Sequence, residues 1–147
     1  NNLADLNARF IHPKVGYYEV YKSDIGNKKS FKHLFAIEEI SNSVDSFEVK
    51  EELVTFNCSP YSDAYYGWSK DGVFLTTDIQ PYLFEIIKNN NKNDVKKINE
   101  EEYKILDLME KTSYEVIVTN NIILHLTKIE NKWYITLIDK LKIDCSH

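Results

Sequence analysis

From residue 113 to 139 the chain passes through three stretches dominated by β-branched and aromatic side chains, 114–119, 122–129 and 133–140. Asn120-Asn121 and Glu130-Asn131-Lys132 separate them. Short polar breaks between such stretches predict two consecutive hairpins, a three-stranded antiparallel meander. Asparagine tolerates positive φ, so a two-residue loop at Asn120-Asn121 predicts Ile117 opposite Leu124 and Val116 opposite His125. A two-residue loop at Glu130-Asn131 sets Leu126 against Ile135, Leu124 against Leu137 and His125 against Thr136. Side chains alternate with period two, which puts Ile117, Leu124, Leu126, Trp133, Ile135 and Leu137 on one face, the expected core side. Tyr114, Val116, Val118, Ile123, His125, Thr127, Tyr134, Thr136 and Ile138 fall on the other. That mixed face suits a pocket, a covering helix or a partner.

Upstream, Leu3, Leu6 and Phe10 recur at helical spacing behind Asn2 as a cap, and His12-Pro13 ends the helix because the residue before proline avoids the α region. A strand follows at 15–21, closed by the turn formers of 23–27. Residues 31–40 suit either a short helix or an opening strand. Residues 47–56 alternate as a strand with Phe47, Val49, Leu53 and Val54 inward. Asp71-Gly72 predicts a hairpin that folds 65–68 back onto 73–76. A helix over 79–88 starts at Thr77 or Asp78. Another starts at Asn99, where Glu100, Glu101 and Glu102 sit at the positive end of its dipole and serve as capping charge, and runs to Lys111.

This pattern specifies an α+β fold: a mostly antiparallel sheet ending in the C-terminal meander, with two or three helices on one face. A nuclear transport factor 2-like cone is one version of it, by fold-level analogy. At 147 residues, 43% of them hydrophobic, the chain is expected to form one domain, 1–147, around one core. The formal charge of −5 disfavours attraction to nucleic acid or anionic lipid. Of the 18 basic residues only Arg9 is an arginine, so bidentate readout of phosphate or guanine lacks material. No apolar run approaches the ~20 residues that span a bilayer.

Motifs for common chemistry are missing from the sequence. It holds no GxSxG, HExxH, P-loop or GxGxxG, and no two of His12, His33, His125 and His147 stand three to five residues apart, so neither a metal nor a cofactor is expected. Cys58 and Cys145 are not in a CxxC, and their spacing leaves a disulfide and two separate thiols equally open. The densest aromatic segment carries Tyr61, Tyr65, Tyr66 and Trp68. Tyrosine and tryptophan combine a broad apolar face with a polar handle, so these four are the candidate contact residues for a protein, peptide or glycan partner. Core packing is the competing role. His125 on the mixed face, with Tyr134 or Thr136 to orient it, is the candidate acid or base of a small hydrolase or isomerase.

Phe10-Ile11-His12-Pro13-Lys14-Val15-Gly16-Tyr17-Tyr18, Trp68-Ser69-Lys70-Asp71-Gly72-Val73-Phe74, and the ending from Asn131 to Asp139 followed by Asp144-Cys145-Ser146 resemble small secreted or lipoprotein domains of Bacteroides-like bacteria. Relative to them, residues 59–66 read as an insertion. The resemblance implies a periplasmic or cell-surface location, with membrane contact only through an N-terminal lipid anchor. It also favours a Cys58–Cys145 bridge, and it implies no catalytic residue. The function it suggests is a non-enzymatic envelope domain, with the His125 enzyme as the alternative.

Overall fold

The computed structural model describes residues 2–23, 28–38, 49–51, 54, 56–57, 67–69, 72–79, 82–90, 99–119 and 122–142. It is an α+β fold. Helix α1 (Asn2–Phe10) leads into strands β1 (Tyr17–Lys22) and β2 (Lys29–Leu34), so the ambiguous stretch 31–40 opens as a strand. Then come β3 (Val49–Glu51), β4 (Phe56–Asn57), β5 (Gly67–Trp68), β6 (Val73–Thr76), α2 (Tyr82–Asn90) and α3 (Glu100–Thr112). The meander is β7 (Tyr114–Val118), β8 (Ile122–Ile129) and β9 (Lys132–Asp139).

Seven strands form one sheet in the order β2-β1-β9-β8-β7-β6-β3. The pairings are antiparallel except where β1 joins β9 and β3 joins β6. β4 and β5 pair separately, Phe56 with Trp68 and Asn57 with Gly67. The expected hairpin between 65–68 and 73–76 does not form: both edges of β6 are taken, by β7 on one side and β3 on the other. The single strand expected over 47–56 is likewise divided, its described ends pairing in different sheets.

Helices cover both faces rather than one. Leu83, Phe84 and Ile87 of α2 and Leu106 and Met109 of α3 pack on Tyr18, Val20 and Leu137. On the opposite face Leu6 of α1 joins Ile11, Tyr17, Ile135 and Ile138, together with half-buried Leu124 and Leu126. Tyr17 and Tyr18, neighbours in the chain, thus serve opposite layers, as strand alternation requires. A third cluster, Val54, Phe74, Ile117 and Ile123, extends the core toward β6. No described helix is long and apolar enough to cross a membrane.

The meander departs from its expected register in two places. Glu130 (φ 52°) and Asn131 (φ 67°) make the two-residue turn, and Leu126 faces Ile135 as expected. Between β7 and β8, however, Val118 faces Ile122, so three residues rather than two separate the strands. Thr119 is engaged elsewhere: its N–H donates to the Gly72 carbonyl at 3.0 Å and its hydroxyl accepts from the Gly72 N–H at 2.8 Å. The slip of one residue brings Glu115, not Val116, opposite His125, and Ile123 opposite Ile117. A second irregularity lies between His125 and Leu126, where one extra residue on β9 sets His125 against Leu137 instead of Thr136 and Leu124 against Ile138 instead of Leu137.

The two faces are reassigned accordingly. Ile117 and Leu137 share the α2/α3 side with Ile123 and His125, so the histidine lies in the principal core. Trp133, expected in the core, is 40% exposed and lies edge-on to Tyr114 at 5.4 Å.

Candidate functional site: a buried ionisable cluster

An antiparallel register pair brings Glu115 of β7 and His125 of β8 side by side on the α2/α3 face, and neither has any exposed surface. Glu115 Oε2 lies 3.4 Å from His125 Nε2, an ion-pair separation with no formed hydrogen bond. Its other oxygen, Oε1, accepts from Lys142 Nζ at 2.7 Å. Lys142 reaches it from the turn after β9. Asp139 makes that turn: its Oδ1 accepts the backbone N–H groups of Leu141 at 2.8 Å and Lys142 at 3.1 Å. This is the local side-chain-to-backbone bonding for which aspartate is suited. Asp139 is itself buried, and its Oδ2, like both ring nitrogens of His125 and Oε2 of Glu115, has no hydrogen-bond partner among the described residues.

Position sets the charge behaviour of the two carboxyls in opposite senses. Burial pushes Glu115 up, but its close contact with His125 and the hydrogen bond and charge of Lys142 outweigh it and hold the carboxyl below its ordinary value. For Asp139 burial prevails and raises it, against the two backbone N–H bonds and the His125 charge, with Glu115 adding to the rise. Phe84 of α2 closes the site, its ring 6.0 Å from that of His125.

Beside the charges runs a chain of buried hydroxyls. Ser113 and Thr127 are 2.7 Å apart, Thr127 and Thr136 also 2.7 Å, and the Thr136 hydroxyl oxygen lies 3.5 Å from the His125 carbonyl. Ser113 donates at the other end to the Met109 carbonyl. Three hydroxyl protons serve the three short contacts when Thr136 donates to Thr127, Thr127 to Ser113 and Ser113 to Met109, so the chain joins α3 to β8 and β9.

Of the residues singled out from sequence, His125 and Thr136 come together only through the His125 backbone carbonyl. Tyr134 is half-buried with its ring 5.0 Å from His12, and the imidazole's neighbours are Glu115 and Phe84 instead. Trp68 is half-buried, edge-on to Phe56 at 5.1 Å and packed on the Val54–Phe74–Ile117–Ile123 cluster. Tyr61, Tyr65, Tyr66, Cys58 and Cys145 lie outside the described residues. No motif in the sequence marks Glu115, Asp139 and Lys142. Their one available signal was a single carboxylate inside an otherwise apolar strand, Tyr114-Glu115-Val116-Ile117-Val118, which by alternation shares the face of Ile117 and so falls on the side expected to be the core.

A buried carboxylate–imidazole pair can orient and polarise a ring, which is half of a general base. It can equally stitch strands together. Among the described residues no group of three His, Cys, Asp or Glu side chains is arranged to hold a metal ion. No family model, curated protein or solved structure matches this chain.

Proposed function

We propose that the chain is a non-enzymatic domain of the cell envelope, periplasmic or surface, that binds a protein, peptide or glycan through Tyr61, Tyr65 and Tyr66. The observation that supports it is the β4–β5 pair. Asn57 stands opposite Gly67 and Phe56 opposite Trp68, so the two ends flanking residues 58–66 are held together at one base. Gly67 takes φ +94° there, open to glycine at little cost. Trp68 belongs to that base, since its ring packs on Phe56 and the core, and the three tyrosines are left as the contact residues. A fastened base lowers the ordering entropy that a binding segment must give up.

The secreted and lipoprotein domains that the sequence resembles fit the same reading, with Cys58 and Cys145 bridged. Tyrosine acetylation followed by peptide mass spectrometry tests the surface. Tyr61, Tyr65 and Tyr66 are expected to react well ahead of Tyr17 and Tyr18, which are buried at 4% and 3%. Protection of all three to the level of Tyr17 and Tyr18 sinks the proposal. Alkylation under denaturing, non-reducing conditions counts free thiols, zero being expected for protein matured in an oxidising compartment.

The 3.4 Å contact of Glu115 with His125 favours a second reading, a small hydrolase or isomerase working from the imidazole. It requires substrate to reach a ring with no exposed surface. Diethyl pyrocarbonate is the probe: an unreactive His125 in the native protein removes this reading.

A further inference from the structure

The sheet face that carries α1 is apolar well beyond the helix. Leu75 of β6, Val116 of β7, Leu124 of β8 and Ile138 of β9 stand in one cross-strand row. Ile138 is buried in the cluster that Leu6 of α1 packs against. Leu75, Val116 and Leu124 are only half-buried, as are Val118 and Leu126 in the neighbouring rows. Four strands thus carry a continuous apolar surface, and among the described residues α1 covers one end of it. An apolar surface of this extent is seldom left open on a single chain.

The two ends of the chain that flank residues 39–48 lie on either side of this surface. At the near end Ile37 is buried with Tyr17 and Ile135 in the α1 cluster. The Asn7 side chain of α1 accepts from the Ile37 N–H at 2.7 Å and donates to its carbonyl at 2.9 Å, and the Tyr17 hydroxyl donates to the Ala36 carbonyl at 3.4 Å. The chain there stands over β1 on the α1 side. At the far end Val49 opens β3, the opposite edge of the sheet, beside Val73. From β1 the order runs through β9, β8, β7 and β6 to β3, a span of about 24 Å at the usual strand spacing. Between Glu38 and Val49 the ten residues 39–48 reach at most about 40 Å. A route outside α2 and α3 has to climb and descend a helix diameter of about 10 Å each way on top of that span, about 44 Å before it rounds the β2 edge. The direct route fits, and it runs over Leu124, Val116 and Leu75. Along it the segment supplies Ile40, Val44 and Phe47 among polar residues.

We propose that residues 39–48 cross the sheet on the α1 side and seat Ile40, Val44 and Phe47 on Leu75, Val116 and Leu124, which makes this apolar surface an interface within the chain. The occupant is this segment rather than a second copy or an apolar ligand because both of its ends are already fixed beside the surface. Tethering of that kind gives it an effective concentration that a free partner does not match, and it spares the entropy of association. The inference is independent of the binding surface at residues 58–66, whose base packs through Trp68 on the opposite face with Phe74 and Ile117.

The test is methyl and aromatic NOE spectroscopy on the wild-type chain, in a sample mixed from labelled and unlabelled molecules so that contacts within a chain and between chains are read separately. Contacts within one chain from Val44 and Phe47 to Val116 and Leu124 are expected. Contacts to Val116 and Leu124 that arise only between chains make a second copy the occupant and overturn the proposal. So does the absence of any contact from Ile40, Val44 and Phe47 to this face. The apolar dye anilinonaphthalene sulfonate is the second probe: added in excess to the wild type, it should leave the Val116 and Leu124 methyl signals in place. Dye that shifts them while the spectrum stays dispersed shows a surface open to apolar ligands, and that result also overturns the proposal.

Discussion

Gly16 sits at φ +68° where the chain leaves α1 for β1, and its N–H donates to the His12 carbonyl at 2.8 Å. A Cβ there would meet the Leu34 carbonyl oxygen and the Phe35 ring. The left-handed conformation alone costs a non-glycine residue roughly 1–2 kcal/mol, and the backbone oxygen cannot move aside without loosening the Tyr17–Leu34 pairing. Gly16→Ala should therefore lose at least about 2 kcal/mol of unfolding free energy in a denaturant titration. A loss under half of that would mean the β1–β2 end yields more easily than its geometry implies. His12 shows how much of a residue's role stays hidden in sequence. As half of His12-Pro13 it marks the helix stop correctly. Its Nδ1 also accepts from the N–H groups of Lys14 at 3.1 Å and Val15 at 3.2 Å, fixing the entry to β1, and nothing in its neighbours announces this.

Among the elements, those with local signals are the ones that sequence identifies. α3 begins where Asn99 predicts: the Asn99 side chain accepts from the Glu102 N–H at 2.9 Å. Asn99→Ala should cost about 1 kcal/mol, seen as a lower unfolding midpoint with unchanged denaturant slope. No shift at all would mean the helix start is held by tertiary contacts alone. The three meander strands and the Glu130-Asn131 turn were equally legible, because β-branched runs and asparagine carry their own conformational preference. Register was not. It depended on Thr119 bonding to Gly72, 47 positions away, and on one extra residue near Thr136. Each moved side chains between faces, so a two-residue loop that was reasonable locally placed His125 in the wrong layer. Glu115 shares a face with Ile117 by alternation, and only the observed register brings His125 opposite it. Alternation says which residues share a face, but tertiary partners decide which face is buried.

For the molecule as a whole, the C-terminal meander gathers Glu115 of β7, His125 of β8, Asp139 of β9 and Lys142 of the turn beyond it, with Phe84 of α2 against the His125 ring. Stability should consequently depend on pH through two carboxyls with opposite signs. Glu115 is held below its unfolded value of 4.5, so its contribution is present above that pH and disappears as pH falls through the lower folded value. Asp139 is raised above 3.8, so its contribution is full below that pH and is lost as pH climbs to the raised folded value. Glu115→Gln keeps the shape but leaves Lys142 facing a neutral group. Removing one partner of a buried pair costs roughly 3–5 kcal/mol, and that deficit should be full near neutral pH and shrink toward acid. Asp139→Asn should gain on the wild type as pH rises from 3.8, because it no longer needs a proton to be buried. Urea unfolding of the three proteins from about pH 3 to 8 separates the two effects. Curves that run parallel across the range would show that neither carboxyl changes its affinity for protons on folding, and that the cluster is held by packing rather than charge.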